Sequence, residues 1–153
     1  MHAGVAPGRL AFDATVHCLT GCAIGEVIGL GVTTALETDN LTSIAAGIVL
    51  AFVFGYGLTF FPLVRGGMPP RRALGVTFAA ESVSIGVMET VDSAVVLLVP
   101  GAMDAGLADP LFWGSLAASL AAAFVAAYPV NRWLISRGAG HAVAMRYGHG
   151  THA

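Results

Sequence analysis

Long apolar runs alternate with short polar breaks along the chain, and four of these runs are long enough to cross a bilayer. A membrane-spanning helix needs about 20 apolar residues to cross about 30 Å of hydrocarbon, at about 1.5 Å per residue. The predicted spans are residues 14–36, 41–64, 73–99 and 111–135. The pattern therefore predicts an all-α polytopic membrane protein, with four transmembrane helices in a bundle.

The residue types at the breaks favour helix ends there. Asp39 and Asn40 are suited to cap the second helix, and Asp109 followed by Pro110 gives an N-cap and then proline at the first helical position. Glycines follow three of the helix ends, as C-terminal caps do. The predicted organisation is an N-terminal segment over 1–12, a transmembrane domain over 13–137 and a tail over 138–153.

Composition and charge support a membrane protein and give it an orientation. Hydrophobic residues make up 56% of the chain and charged residues 10%, whereas about 25% of a soluble domain is charged. The net charge of −2 gives no reason to expect nucleic-acid binding. All basic residues are arginines on one side of the predicted spans, which places both termini in the cytoplasm. They are Arg9, Arg65, Arg71, Arg72, Arg132, Arg137 and Arg146.

A weak internal repeat relates the two halves of the chain. An aromatic-Pro-x-x-Arg pattern closes the second span at residues 61–65 and recurs at 128–132 near the end of the fourth. Two parallel helical hairpins, related by an axis along the membrane normal, would produce such a repeat. Chance similarity between apolar helices explains the pattern equally well.

The first span carries side chains that a lipid-facing helix excludes. Cys18, Cys22 and Glu26 are spaced four apart and form a stripe along one side of the helix. His17 points about a quarter turn or more away and is assigned to the cytoplasmic approach. Three small residues form an adjacent stripe, a pattern that lets membrane helices approach closely. They are Gly21, Gly25 and Gly29.

The third span also carries polar side chains that a lipid-facing helix excludes. Glu81, Met88 and Asp92 fall on one face of the predicted helix, with Ser84 and Glu89 on its flanks. An ionised side chain at the centre of a membrane helix costs about 2.5–3.5 kcal/mol, and the first and third spans contain no Arg or Lys to offset it. The acids are therefore either protonated, or a cation or water lies between them.

Counting from the predicted cytoplasmic ends places Cys22 level with Glu81, and Glu26 deeper, near mid-membrane. Thiolate and thioether ligands select copper(I) or zinc, while carboxylates favour iron(II), manganese or protons. The mixture predicts a transition-metal site, with copper and zinc ranked over iron, in a transporter or channel rather than an enzyme. The predicted metal-site residues are His17, Cys18, Cys22, Glu26, Glu81, Met88, Glu89 and Asp92.

Three other functions stay open. The acids suit a proton-coupled carrier, and the polar stripe suits an accessory subunit that seals against another membrane protein. A thiol and quinone oxidoreductase fits less well, because such enzymes use Cys-x-x-Cys at a helix end. The expected partners are the lipid bilayer, a metal ion and, since four helices enclose a narrow core, further copies of the chain. The tail is either unspecialised or metal-collecting through His141, His149 and His152.

Five segments resemble the bacterial four-helix membrane family known as domain of unknown function number four-three-nine-six. They are TVHCLTGCAIGE at 15–26, METVD at 88–92, PGAMD at 100–104, FWGS at 112–115 and YPVNR at 128–132. The resemblance covers about 13–141 and implies a bundle in the bacterial inner membrane, with no established activity. The His-Cys pair at 17–18 also resembles the four-helix mercuric-ion uptake proteins, whose further thiols this chain lacks.

Overall fold

Four long helices follow one another with short connections. The computed structural model describes residues 6–138. Within this range the helices are α1 (Pro7–Ala35), α2 (Asn40–Arg65), α3 (Pro70–Leu98) and α4 (Pro110–Ser136), and a short 3-10 helix, η1 (Ala102–Asp104), lies between the last two. No strand occurs among these residues, so the prediction of an all-α bundle is confirmed.

All four helices begin earlier than the predicted spans, α2 and α4 by one residue and the other two by more. Helix α1 starts at Pro7, about two turns before the predicted span, and α3 starts at Pro70. Residues 7–12, predicted to be part of a separate N-terminal segment, are therefore helical. Hydropathy marks only the part of a helix that suits hydrocarbon, whereas a proline at the first helical position starts the helix itself.

The helix ends use the residues that the sequence suggested. Asp39 caps α2 by accepting hydrogen bonds from the hydroxyl and the backbone N–H of Thr42, and these bonds lower the pKa of the Asp39 carboxyl. Asp109 caps α4 by accepting from the backbone N–H of Leu111 at 2.8 Å. Gly67, Gly101 and Gly138 follow the C-terminal ends of α2, α3 and α4 and have positive φ angles, as residues that end helices often do.

A seam of small residues joins α1 to α2. A Cβ added to Gly25 would lie 2.3 Å from the backbone nitrogen of Ala51, and one added to Gly21 would lie 2.7 Å from the Cα of Gly55. Gly29 meets Gly47 in the same way. The predicted glycine stripe is therefore a line of backbone contact between two helices, and it turns the polar stripe of α1 toward the rest of the bundle.

Large apolar side chains cover the outside of the bundle, whereas small and polar side chains fill the inside. Helices α1, α2 and α4 are long and apolar enough to cross a membrane. Helix α3 is as long as α1, at 29 residues, but it carries three acidic residues that are buried in the bundle. This distribution of surface and interior is that of a membrane protein.

The two ends of the bundle differ in charge. Antiparallel neighbours place the start of α1, the α2–α3 connection and the end of α4 at one end, which we call the arginine end. It carries Arg9, Arg65, Arg71, Arg72, Arg132 and Arg137. The acidic end carries Glu37, Asp39, Asp104 and Asp109, and there Asn40 Nδ2 donates to Asp104 Oδ1 at 3.3 Å. Arg146 and the tail histidines His141, His149 and His152 lie outside the described residues.

Candidate functional site

A column of polar side chains runs through the bundle interior from the arginine end to the acidic end. Helix α3 contributes three of these side chains, Glu81, Glu89 and Asp92, which are 0%, 5% and 7% exposed. Their spacing keeps all three on the face that α3 turns toward α1 and α4. The predicted polar face of the third span is therefore an interior face.

Near the arginine end, three helices contribute to one hydrogen-bonded group. Glu81 Oε2 accepts a hydrogen bond from the Cys18 thiol at 3.0 Å, and Glu81 Oε1 accepts one from the Thr59 hydroxyl. His17 Nε2 lies 3.0 Å from Thr59 Oγ1, so the chain of contacts extends to an imidazole that is half-buried. Cys18, Thr59 and Glu81 are buried in this group.

Helix α4 contributes a neutral polar residue at the same level. Asn131 Nδ2 donates to Thr15 Oγ1 and to Ser84 Oγ, both at 3.0 Å, and Asn131 is 1% exposed. Its Oδ1 has no hydrogen-bond partner. Neither Asn131 nor Thr59 is among the site residues predicted from the sequence. An asparagine inside an apolar span was the available signal for the first, whereas a threonine gives no such signal.

The middle of the column holds sulfur atoms. Cys18, Cys22 and Met88 are at most 1% exposed and pack together with Ile85 and with alanines of α2 and α4. The Cys22 thiol lies beside the Glu89 carboxyl, so it faces the acidic end. Neither cysteine forms a disulfide, and both lie inside α1, whereas the dithiol of a disulfide-forming enzyme lies at a helix end.

Toward the acidic end the column opens into a cavity of about 100 Å³. Its polar lining is three carboxyl groups, from Glu26, Glu89 and Asp92, and three hydroxyl groups, from Ser43, Ser93 and Ser115. Apolar side chains from all four helices and residues of η1 complete the lining. One water needs roughly 10–15 Å³ of such space, so the cavity has room for several waters or for a partly hydrated ion.

The carboxyl groups around this cavity are short of partners within the described chain. The Glu26 and Asp92 carboxyls are neighbours, and the Ser119 hydroxyl lies near Asp92. Even so, Glu26 Oε1, Glu89 Oε1 and Asp92 Oδ1 are buried and have no hydrogen-bond partner. A buried polar atom without a partner costs about 1–3 kcal/mol, so three of them around one cavity indicate a place for a ligand.

Residues 9–140 match the family described as domain of unknown function DUF4396. The chain belongs to this family. The match agrees with the resemblance noted from the sequence and covers every helix described above, apart from the first residues of α1. No curated protein and no solved structure matches the chain. DUF4396 membership therefore supports the fold without naming an activity.

In this DUF4396 chain the two polar helices meet one turn out of the predicted register. Cys18, not Cys22, is level with Glu81, and Cys22 lies beside Glu89. The predicted spans start at Ala14 and Ala73, and this offset places Cys22 level with Glu81. The helices instead start at Pro7 and Pro70, which are 63 positions apart, as are Cys18 and Glu81. The prediction that Cys22 lies level with Glu81 is therefore wrong, because the helix starts set the depth.

The predicted metal residues fall into three groups rather than one site. Cys18 contacts Glu81 near the arginine end, close to His17, and also packs with Cys22 and Met88 in the middle, while the other acids line the cavity. Between residues 6 and 138, no three His, Cys, Asp or Glu side chains form a ready-made metal cluster. Glu26, Glu89 and Asp92 are the acids that share one open space.

Proposed function

We propose that the protein binds a transition-metal ion in the acidic cavity and carries it across the membrane. The observation that supports this most is the set of unpartnered carboxyl oxygens of Glu26, Glu89 and Asp92 around one cavity. A hydrated cation in the cavity would give these oxygens partners, directly or through its waters. It would also offset the electrostatic cost of placing acids in the membrane interior.

The chemistry of the cavity accommodates the ions expected from the sequence. Carboxylate and hydroxyl oxygens bind zinc and iron(II), and a cluster of negative charge attracts any cation. The thiols and the thioether lie deeper, next to Glu89, where they suit copper or zinc. We therefore keep copper and zinc as the favoured ions and iron as a further candidate.

We propose that α3 crosses the membrane together with the other three helices. It has the length of α1, runs parallel to it and presents its acids to the bundle interior. By the positive-inside rule the arginine end faces the cytoplasm of a bacterial inner membrane, with both termini on that side. The cavity then lies on the outer side, and assembly of several copies stays a prediction.

Metal flux into liposomes tests the transport proposal. Purified protein reconstituted in vesicles that contain a metal-sensitive dye should admit added copper or zinc at least about tenfold faster than empty vesicles do, because the bundle replaces a bare hydrocarbon barrier. The Glu37→Gln variant should show the same flux as the unmodified protein, since Glu37 is an exposed acid outside the cavity. A flux equal to that of empty vesicles would contradict transport.

A proton-coupled carrier is a second candidate, favoured by the hydrogen bonds near the arginine end. His17, Thr59 and Glu81 are connected without a break, and the chain continues to the Cys18 thiol. Connected hydroxyl, imidazole and carboxyl groups pass protons in pumps and transporters. In this function the thiols are incidental and the acids of the cavity exchange protons.

Vesicles with a pH difference and no metal distinguish this second function. A proton carrier should dissipate the pH difference, and Glu81→Gln should slow the dissipation at least about tenfold, because the amide cannot pass a proton on. Thr77→Val is a control for changing a buried polar residue of α3 outside the described chain of hydrogen bonds. Proton flux that is unchanged in the Glu81 variant would remove this candidate.

A further inference from the structure

A packed cluster that contains three sulfur atoms lies between the two halves of the polar column. On the arginine side of the cluster lie His17, Thr59 and Glu81, and on the acidic side lies the cavity. The cluster consists of buried residues, none more than 1% exposed, and it does not line the cavity. Its members are Cys18, Cys22, Ala51, Ile85, Met88, Ala123 and Ala127.

Sulfur atoms are the only side-chain ligand atoms that this cluster offers. Cys18, Cys22 and Met88 have no side-chain oxygen or nitrogen, and the other members of the cluster are aliphatic. An ion that crosses this cluster must shed water, and the sulfur atoms replace that water between the Glu81 carboxyl beside Cys18 and the Glu89 carboxyl beside Cys22. Manganese or magnesium would lose oxygen ligands here, and zinc, which binds thiolates but takes four ligands, would find two thiols and one thioether, whereas a soft monovalent cation such as copper(I) prefers thiolate and thioether.

We propose that Cys18, Cys22 and Met88 form a selectivity gate for a soft monovalent metal cation of the copper(I) class. We call these three residues the sulfur gate. The inference rests on the proposed metal transport and deepens it, because it assigns the discrimination between ions to the sulfur atoms of this cluster. The acidic cavity then attracts cations of many kinds, and the sulfur gate decides which of them pass.

The two thiols of the gate face opposite compartments. Cys18 donates to Glu81 Oε2 at 3.0 Å on the arginine side, and Cys22 lies beside Glu89, which lines the cavity. When an ion binds, each S–H bond is replaced by a sulfur–metal bond and the thiol proton passes to the adjacent carboxylate. An ion can therefore move from Glu89 to Cys22, then to Cys18, and leave toward Glu81.

A small side chain on every neighbouring helix keeps the gate narrow. Ala51 of α2 and Ala123 and Ala127 of α4 belong to the same packed cluster as the sulfur-bearing residues, and Ile85 fills the space next to Gly55. A Cβ on Gly55 would lie 2.5 Å from Ile85 Cδ1, so the cluster has no spare room there. A hydrated divalent ion does not fit through packing of this kind without displacing the helices.

Ion selectivity in proteoliposomes tests the gate. Vesicles with an internal metal-sensitive dye receive copper(I) kept reduced, silver(I), zinc(II) or manganese(II) in parallel. The unmodified protein should pass copper(I) and silver(I) at least about tenfold faster than the divalent ions, since sulfur ligands favour soft ions. The triple variant Cys18→Ser, Cys22→Ser and Met88→Leu should lose this preference while it still binds metal at the cavity.

Matched variants protect the test against a simple folding failure. Met88→Leu and Cys22→Ser alone keep the side-chain volume nearly unchanged, and each should lower the copper(I)-to-zinc(II) flux ratio at least about threefold. Met68→Leu changes a buried methionine in a separate cluster at the arginine end and should leave the ratio unchanged.

The outcomes separate the gate from the proposed function. Flux of zinc(II) or manganese(II) as fast as copper(I), with no change in the sulfur variants, would overturn the gate and leave metal transport standing. No flux of any of the four ions would overturn both. A copper(I) preference that disappears in the sulfur variants and persists in Met68→Leu would support both.

Discussion

Gly25→Ala should destabilise the bundle by about 1–3 kcal/mol or more, the range for adding a methyl group where packing leaves no room. The new Cβ would lie 2.3 Å from the backbone nitrogen of Ala51 and 2.5 Å from its Cα, and backbone atoms cannot turn aside as a side chain can. Helices α1 and α2 would have to separate. Unfolding of the purified protein by a denaturing detergent, followed by circular dichroism, measures the effect.

Gly86→Ala is the matched control on α3. A Cβ added at Gly86 meets nothing within 4 Å, so the substitution should be neutral or should stabilise the helix by about 0.5–1 kcal/mol. A loss of stability in Gly25→Ala together with a gain in Gly86→Ala would show that backbone contact, not helix propensity, makes Gly25 necessary. Equal stability of both variants would contradict the close approach of α1 and α2.

Replacing Glu89 by Gln and Asp92 by Asn together should weaken metal binding by at least about 100-fold, since losing even an outer partner of a ligand costs about 10–100-fold. The amides keep the size of the side chains but remove the two buried acidic groups of α3 that line the cavity. Titration of the purified protein with zinc or copper, followed by calorimetry, gives the affinity directly.

Two exposed acids provide the control for the carboxyl variant. Glu37→Gln with Asp13→Asn removes the same number of acidic groups by the same chemical changes, but neither residue lines the cavity. This variant should bind metal as the unmodified protein does. If it weakened binding as much as the cavity variant, net charge rather than the cavity would account for the affinity.

The glycine seam explains why the polar stripe of α1 reaches α3. Gly21, Gly25 and Gly29 bring the backbone of α1 against α2, and the adjacent stripe of Cys18, Cys22 and Glu26 turns inward as a result. Helix packing by small residues and the placement of the acids are thus two consequences of one sequence pattern. A protein that lost the seam would also lose the alignment of the column.

Much of the fold can be predicted from local patterns in the sequence. Four apolar runs predict four helices, and Asp39 and Asp109 mark the starts of α2 and α4 because their side chains satisfy free backbone N–H groups there. The interior face of α3 is predicted by charge, since acids at helical spacing cannot face lipid. These inferences need only the nearest residues along the chain, and the structure confirms them.

The register of α1 against α3 and the neutral members of the column could not be predicted in the same way. Hydropathy does not show that α1 continues back to Pro7, so Cys18 was placed one turn away from Glu81. Thr59 and Asn131 carry no charge, and their importance depends on which side chains lie opposite them in the folded chain. Such partners are known only once helices are placed together.

Elemental analysis of the protein, purified without chelator, tests the central claim most directly. The account predicts about one bound transition-metal ion per chain, retained through purification or regained on titration, and its loss when Glu89 and Asp92 are replaced by their amides. Protein that is free of metal and takes up none from added copper, zinc or iron would contradict the account.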